Sequence, residues 1–385
     1  MMLEYGLISL YGIIIVLLVI TYILYPFLSK KLFKSHSKDL PRENYGTSYI
    51  LIPAYNEENV IEEKIINALK NKGEKEIVVV VSDSSDDATN SICKRLVAEN
   101  DEMRFLVNNK RGGKNTCLNY AIETIKPKKN DILIFTDCNT FFDQNSIPEI
   151  HKSLLSGSAL TAGSMVYKSM DSDSAVSEGL YWRYEEWLRK NESEKGRLIV
   201  CNGGLFGMWA EYFEEIPPFV PNDLEGPLRL LGEAKYVEIN PLAKGFETAI
   251  NSASEEYNRK HRMANRQMNC IIYLWNRINF GTKLQVLFHK FFRWFGLHLF
   301  ILATLIIIAL DLISGTILIK LLVWTHSLIV VVMFLAWLNN YVELENRFLP
   351  KVLHACIVHL YGAKGAFKAF MGAKTTVWEK AKTNR

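Results

Sequence analysis

Gly6 to Leu28 (GLISLYGIIIVLLVITYILYPFL) runs for 23 residues without a charge. At about 1.5 Å per residue it is long enough to cross a hydrocarbon core about 30 Å thick. No other feature limits the chain so tightly, because a segment of this kind has to be buried in lipid and the remainder has to fold beside it. The leading Met-Met-Leu-Glu lacks a positive n-region, and no small-residue cleavage site follows Tyr25-Pro26, so the stretch reads as a retained anchor rather than a cleaved signal. Two further apolar blocks lie far downstream. Phe295 to Ile319 contains one acid, Asp311, and Leu321 to Tyr341 contains none. The turn-like Asp311-Leu-Ile-Ser-Gly-Thr316 between them predicts a helical hairpin, with Lys320 near the outer edge. Lys30, Lys31, Lys34, Lys38 and Arg42 follow the first stretch while only Glu4 precedes it, which places the amino terminus outside and the bulk of the chain in the cytoplasm. Three spans are expected.

The segment between these blocks reads as a soluble domain. Hydrophobic residues make up 49% of the chain and charged residues 22%, a combination that requires the apolar residues to be segregated. The net charge of +4, from 45 basic and 41 acidic residues, is too small to argue for nucleic acid, and much of the excess flanks the spans, where anionic lipid attracts it. Cys93, Cys117, Cys138, Cys201, Cys270 and Cys356 show no CxxC or Cys/His ligand spacing, and in the cytoplasm free thiols are expected. After a basic linker (Ser29 to Tyr45), Ser48 to Ile52 reads as a strand. A helix capped by Asn56 follows, with Val60, Ile61, Ile65, Ile66 and Leu69 at helical spacing. Glu76 to Val81, Arg104 to Val107 and Ile132 to Phe135 read as further strands. They alternate with helices over roughly Ala88 to Glu99 and from Lys114 to Thr124, the pattern of a parallel α/β sheet.

Chemistry concentrates where those strands end. In DILIFTDCNTFFD (Asp131 to Asp143) an apolar run stops at Thr136-Asp137-Cys138-Asn139. The carboxyl end of a strand is where open α/β sheets place ligands. An acid and an amide two residues apart offer hard oxygen donors to a divalent cation holding a diphosphate. Acid recurs after the second strand at Asp83, and Lys110-Arg-Gly-Gly-Lys114 supplies backbone donors and one ammonium for phosphate. Neither GxGxxG after the first strand nor GxxxxGK[ST] occurs, so a dinucleotide or P-loop site has no support.

In this order and spacing the motifs resemble the inverting family 2 glycosyltransferases, over roughly Ser48 to Trp294. More closely they resemble the membrane-bound branch that includes hyaluronan, chitin and cellulose synthases. Ile52-Pro-Ala-Tyr-Asn-Glu-Glu58 matches the family's first strand and turn, which brings in Pro53, Tyr55 and Glu57 as donor-binding residues. Ser82-Asp-Ser-Ser-Asp-Asp-Ala-Thr89 looks like its uridine-binding DDGSxDxT, with Asp83 the base-holding acid and Ser82 and Ser84 departing from the pattern. Gly113-Lys114 with Asn119 matches GK-x4-N. Thr136-Asp137-Cys138-Asn139 looks like the metal-binding DxD, its second acid replaced by Asn139. Cys201-Asn202-Gly203-Gly204-Leu205-Phe206 is similar to the acceptor loop. Asn222-Asp223-Leu224-Glu225-Gly226 aligns with the segment that carries the general base, here Asp223, with Glu225 as the alternative. Glu255 to Met263 falls where processive synthases carry QxxRW. Arg259 and Arg262 keep the spacing while Gln and Trp are lost, so addition of one sugar or few is expected.

The resemblance implies a GT-A-like, mostly parallel sheet flanked by helices, with an amino-terminal transmembrane helix and a carboxyl-terminal transmembrane hairpin. It divides the chain into an anchor (1–28), a basic linker (29–45), a cytoplasmic catalytic domain (46–279), an amphipathic interface helix (280–294), two spans (295–341) and an interfacial tail (342–385). It also implies Mg²⁺ or Mn²⁺, a nucleotide-sugar donor (a UDP-sugar is expected), a lipid-linked or glycan acceptor at the cell membrane, contact with lipid, and compatibility with a homo-oligomer. A processive synthase coupled to export, and a non-catalytic nucleotide-sugar-binding scaffold, remain as alternatives. The run Glu178, Tyr181, Trp182, Tyr184, Glu185 and Trp187 is expected to pack as core, and His151, His261 and His289 fit no catalytic motif.

Overall fold

The computed structural model describes residues 1–168, 173–248, 253–342 and 348–376. Side chains of 167–182, 248–256 and 340–347 lie outside that description, and with them those of Glu178, Tyr181, Trp182, Glu255 and Glu256. The chain opens with α1 (Met2–Leu32), one long apolar helix containing a π turn at Ile20–Leu24. β1 (Ser48–Ala54), α2 (Ile61–Asn71), β2 (Glu76–Asp83), α3 (Thr89–Glu99), β3 (Met103–Asn108), α4 (Lys114–Ile125) and β4 (Ile132–Thr136) then alternate. β5 (Phe141–Phe142), α5 (Ser146–Leu155), β6 (Leu160–Lys168), α6 (Asp173–Ser193), β7 (Leu205–Trp209), α7 (Asn222–Gly232), β8 (Val237–Thr248) and α8 (Ala253–Leu274) complete the domain. α9 (Phe280–Ser314), α10 (Ile317–Val342) and α11 (Leu349–Phe370) close the chain.

Among the described residues eight strands form one sheet in the order β3-β2-β1-β4-β7-β6-β8-β5. Four of its seven pairings are parallel; β7 runs antiparallel to β4 and β6, and β5 antiparallel to β8. The strands of the first half read as unbroken apolar runs because helices cover both faces of the sheet. Leu51, Val79, Val81, Leu133 and Phe135 pack on one side, and Ile50, Ile52, Val78, Val80, Ile132 and Ile134 on the other. Each such side chain is worth about 1.5–3 kcal/mol when fully buried. All six cysteines are free, as expected.

Two expectations change. α2 begins at Ile61, four residues later than an Asn56 cap implies. Asn56 has φ +53° and its side chain donates to Asp86 at 2.5 Å. The N–H groups of Asn56, Glu57 and Glu58 donate to Ser85, Thr89 and Asp87, so this turn is fixed to the loop after β2 instead of opening a helix. The buried face of α2 is Ile61, Lys64, Ile65 and Ala68, while Ile66 is exposed. The second change concerns the stretch expected to lay basic side chains among lipid headgroups. Residues 280–294 run straight into the long helix α9, and His289, Lys290 and Arg293 turn inward. Glu185 on α6 accepts from Lys290 Nζ at 2.7 Å and from Arg293 at 2.7 Å, and Glu185 and Glu192 lie 2.9 and 2.8 Å from the two nitrogens of His289. Buried acids at i and i+7 on α6 give those bases protein partners, so they are not left to seek lipid.

Among the described residues three helices are long and apolar enough to cross a membrane: Met2–Leu32, Phe280–Ser314 and Ile317–Asn339. α11 packs against α8 through small residues. A Cβ on Gly365 would fall 2.2 Å from the carbonyl oxygen of His261, so the two helices are in backbone contact there.

Candidate active site

Because β1, β2 and β4 are parallel, their carboxyl ends bring Tyr55, Asp83 and Asp137 to one edge of the sheet. Asp83 ends β2 and is buried; its carboxylate accepts the N–H groups of Gly112 (2.9 Å) and Gly113 (2.8 Å) and the Asn108 amide (3.2 Å). Gly113, with φ +87°, stands just before α4 in a conformation that a side chain would strain. The next residue, Lys114, sends Nζ to Asp137 Oδ1 (2.6 Å) and to the Gly203 carbonyl (3.2 Å). On the rim, the Arg111 guanidinium lies 3.8 Å from the centre of the Tyr55 ring. The Pro53 carbonyl accepts the Cys138 thiol at 3.1 Å, turning Cys138 inward between Asp137 and Asn139.

From the other side come the loop from Cys201 to Phe206 and α7. The N–H of Cys201 donates to the carbonyl of Asp223 (2.8 Å), and Asn202 Oδ1 accepts from the buried Arg189 (2.9 Å). Gly203 marks the convergence. A Cβ there would stand 3.6 Å from Asp223 Oδ2, 3.6 Å from Lys114 Nζ and 3.7 Å from Asp137 Oδ2. Gly204 allows the closest approach, since its Cβ would meet Thr140 Oγ1 at 2.5 Å and Glu247 Oε1 at 3.0 Å. Burial pushes the Asp223 carboxyl up from the usual aspartate range, against the pull of Lys114, and Asp137 adds to the rise. Glu247 is raised the same way, by burial and then by Asp137, although Arg259 and Lys114 oppose it. Glu225 goes elsewhere, into a buried ion pair with Arg229 at 2.9 Å.

Arg259 and Arg262 lie on α8, and burial lowers Arg262 from the ordinary arginine value. One turn further, Arg266 donates to the carbonyls of Val220 (2.6 Å) and Pro218 (3.2 Å), holding the loop that leads into Asp223; burial brings it down to about 10. Arg266, Arg189, Glu247 and Lys64 were not legible as site residues. Lys64 carried the clearest signal, a lysine within an otherwise apolar helix stripe. It is fully buried, donates to Thr136 Oγ1 (3.0 Å) and to the Thr140 carbonyl, and burial brings its ammonium down to about 7.

The donor set suits a hard divalent cation. Asp137 offers a carboxylate and Asn139 an amide oxygen, the Cys138 thiol between them is turned away, and Asp137 Oδ2 faces the space beside Gly203. Among the described residues no three His, Cys, Asp or Glu side chains gather to hold a metal. A cation here would therefore draw its remaining ligands from water and phosphate, as Mg²⁺ and Mn²⁺ do.

A mixed sheet flanked by helices, with acids at the carboxyl ends of its parallel strands, matches the GT-A fold. Residues 49–217 match the model of Glycosyl transferase family 2. No curated protein matches the chain. Among solved structures, a mannosyltransferase from Pyrobaculum calidifontis, in complex with GDP-Man and Mn2+, aligns with TM-score 0.66 and 18% identity over 95% of this chain and 100% of its own. GalNAc-T7, with UDP, GalNAc and Mn2+, aligns at TM-score 0.45 and 14% identity over 60% of this chain and 48% of its own, too partial a likeness to bear on the fold. The match of residues 49–217 to a glycosyltransferase family and the shared architecture support a glycosyltransferase of GT-A fold.

Proposed function

We propose that the chain is a membrane-anchored, inverting glycosyltransferase. It moves a sugar from a nucleoside-diphosphate donor to a lipid-linked or glycan acceptor at the cytoplasmic membrane face. The observation that carries this reading is the convergence of Asp223, Lys114 and Asp137 on the space beside Gly203, where a Cβ would stand. Inversion needs a carboxylate on one side of the anomeric carbon and stabilisation of the leaving diphosphate on the other. Asp223 Oδ2 takes the proton of the acceptor hydroxyl as that oxygen attacks, and a carboxyl raised by burial is the stronger base for it. Glu225 is committed to Arg229, which favours Asp223 over it. Lys114 exchanges Asp137 for donor phosphate, and Arg259 and Arg262 approach the same phosphates from α8. Asp83, whose carboxylate takes the N–H groups of Gly112 and Gly113, stands at the nucleotide end with Pro53, Tyr55 and Glu57 along that rim, and Asn202, Gly203 and Gly204 line the acceptor side. Mg²⁺ or Mn²⁺ held by Asp137 and Asn139 would neutralise charge on the leaving diphosphate.

The test is a donor screen on detergent-solubilised, full-length protein. It would follow nucleoside diphosphate release from UDP- and GDP-sugars with Mn²⁺, with and without EDTA, in the presence of membrane lipid extract. Turnover of one donor, lost with EDTA and in Asp223→Asn, is expected. Binding of a donor without turnover would replace the enzyme with a nucleotide-sugar-binding scaffold.

A further inference from the structure

Lys64 on α2 touches no open space, being 0% exposed. Its two hydrogen bonds bracket the cation-binding turn. Thr136 is the last residue of β4 and Thr140 immediately precedes β5, so the bonds to Thr136 Oγ1 and the Thr140 carbonyl anchor both ends of the three residues 137–139. The ammonium also sits 3.7 Å from the centre of the Phe142 ring. One turn along α2, Asn67 extends the clamp, accepting the Phe142 N–H (2.8 Å) and donating to the Phe142 carbonyl (3.1 Å). With both ends held and Cys138 fixed to Pro53, Asp137 and Asn139 are the two members of the turn left to face forward. A buried ammonium with two oxygen partners is a poor device for stability alone, since an apolar side chain of the same length would avoid its desolvation.

We propose that Lys64 is the positioning residue of the cation site: it sets the Thr136–Thr140 turn, through its bonds to Thr136 Oγ1 and the Thr140 carbonyl, so that Asp137 and Asn139 present their oxygens together. The proposal rests on the reading of Asp137 and Asn139 as metal ligands, and assigns to α2 a part in the site that no motif marks. Groups that orient metal ligands are worth about 10–100-fold in metal affinity.

The experiment measures Mn²⁺ affinity by loss of the free-ion electron paramagnetic resonance signal. It uses full-length protein in detergent at a fixed UDP concentration, against a protein-free control. Thermal melts run in parallel, and wild type is compared with Lys64→Met, Thr136→Val and Asp137→Ala. The expected result for Lys64→Met is a melting temperature at or near that of wild type with Mn²⁺ affinity lower by about tenfold or more. Thr136→Val, which removes one of the two anchors, should show a smaller loss. Lys64→Met with wild-type Mn²⁺ affinity, whatever its melting temperature, overturns the proposal. Should Lys64→Met fail to fold, Thr136→Val decides in the same way, and unchanged affinity there overturns it. An Asp137→Ala protein that binds Mn²⁺ as wild type does removes the metal reading itself and the proposal with it. A loss in Asp137→Ala with none in Lys64→Met sinks the role of Lys64 alone.

Discussion

Among the described residues, two of the enclosed clusters of charge are built in opposite ways. At the carboxyl edge of the sheet Asp137, Asp223 and Glu247 are brought near Lys64 and Lys114, with glycines keeping the space between them open. Burial leaves Asp223 and Glu247 raised. Where α6 meets α9 the same residue types close on each other. Burial pushes Glu185 up, but Lys290, His289 and Arg293 together hold it well below the usual carboxylate range. Tyr25 of α1 donates to Glu192 at 2.6 Å from the same cluster, which fastens the first apolar helix to the domain. Carboxyls left raised beside a cleft mark a candidate functional site. A carboxyl held low by three fitted bases has nothing left to bind.

The sharpest break in that contrast is Asp223→Asn. Turnover should fall by about 10²–10⁴-fold, the usual worth of a positioned base. The melting temperature should hold or rise, because a desolvated acid is removed. Nucleoside diphosphate release and a thermal melt on one preparation would read both. A melting temperature that fell along with turnover would make Asp223 a structural acid. Glu185→Gln should do the reverse. It strips the carboxylate from Lys290, Arg293 and His289 and should cost about 3–5 kcal/mol, as removing one partner of a buried pair does. Denaturant unfolding in detergent would measure it, and the protein that remains folded should turn over at close to the wild-type rate. Undiminished stability with lost turnover would mean that the two clusters are one site.

A smaller effect belongs to the opposite edge of the sheet. His151 on α5 is buried against Ser48 Oγ at 3.0 Å, with Glu76 3.4 Å away and the Tyr45 ring tilted against it, and burial pushes its imidazole down to about 4. An unfolded histidine takes up its proton near pH 6.5, while the folded one resists until about 4. Stability is therefore full above pH 6.5 and is lost as pH falls towards 4, by up to roughly 3 kcal/mol at about 1.4 kcal/mol per unit. His151→Gln keeps a donor for Ser48 and should flatten that limb, leaving turnover at pH 7.5 unchanged. A limb that stays as steep would assign the acid loss to other groups.

Legibility followed periodicity. Strands buried on both faces are unbroken apolar runs, so β1, β2 and β4 could be read together with the acids that end them. Lys64 could not, because a helical stripe read for apolar residues passes over the lysine set within it. Glu247 stands at the end of a long strand with no motif around it, and its place beside Gly204 depends on a pairing between β6 and β8 that bridges about 75 residues. The inward turn of His289, Lys290 and Arg293 was hidden for the same reason. Their partners lie on α6, about 100 residues away, and a basic apolar stretch looks alike facing lipid or facing buried glutamates.

The smallest effect concerns strain at the carboxyl edge. Four non-glycine residues among those described have positive φ, and two of them, Asn56 and Ser84, belong to the loops after β1 and β2. Ser84 directly follows Asp83 at φ +57°, a conformation that costs an L-residue about 1–2 kcal/mol, and its hydroxyl donates to the Asn108 carbonyl at 2.7 Å. Such strain collects where a loop's shape serves a ligand and the surrounding structure over-determines it. Ser84→Ala removes the hydrogen bond and keeps the strain, so it should destabilise by about 1 kcal/mol. Ser84→Gly removes both and should lie within about 1 kcal/mol of wild type, because relief of the left-handed turn offsets the lost bond and the added freedom of the unfolded chain. The informative quantity is the difference between these two variants by denaturant unfolding. Glycine at least about 0.5 kcal/mol more stable than alanine means that the edge carries strain the closed cluster lacks. Equal stabilities would mean that Ser84 rests there without cost, and the contrast between the two regions would then stand on charge alone.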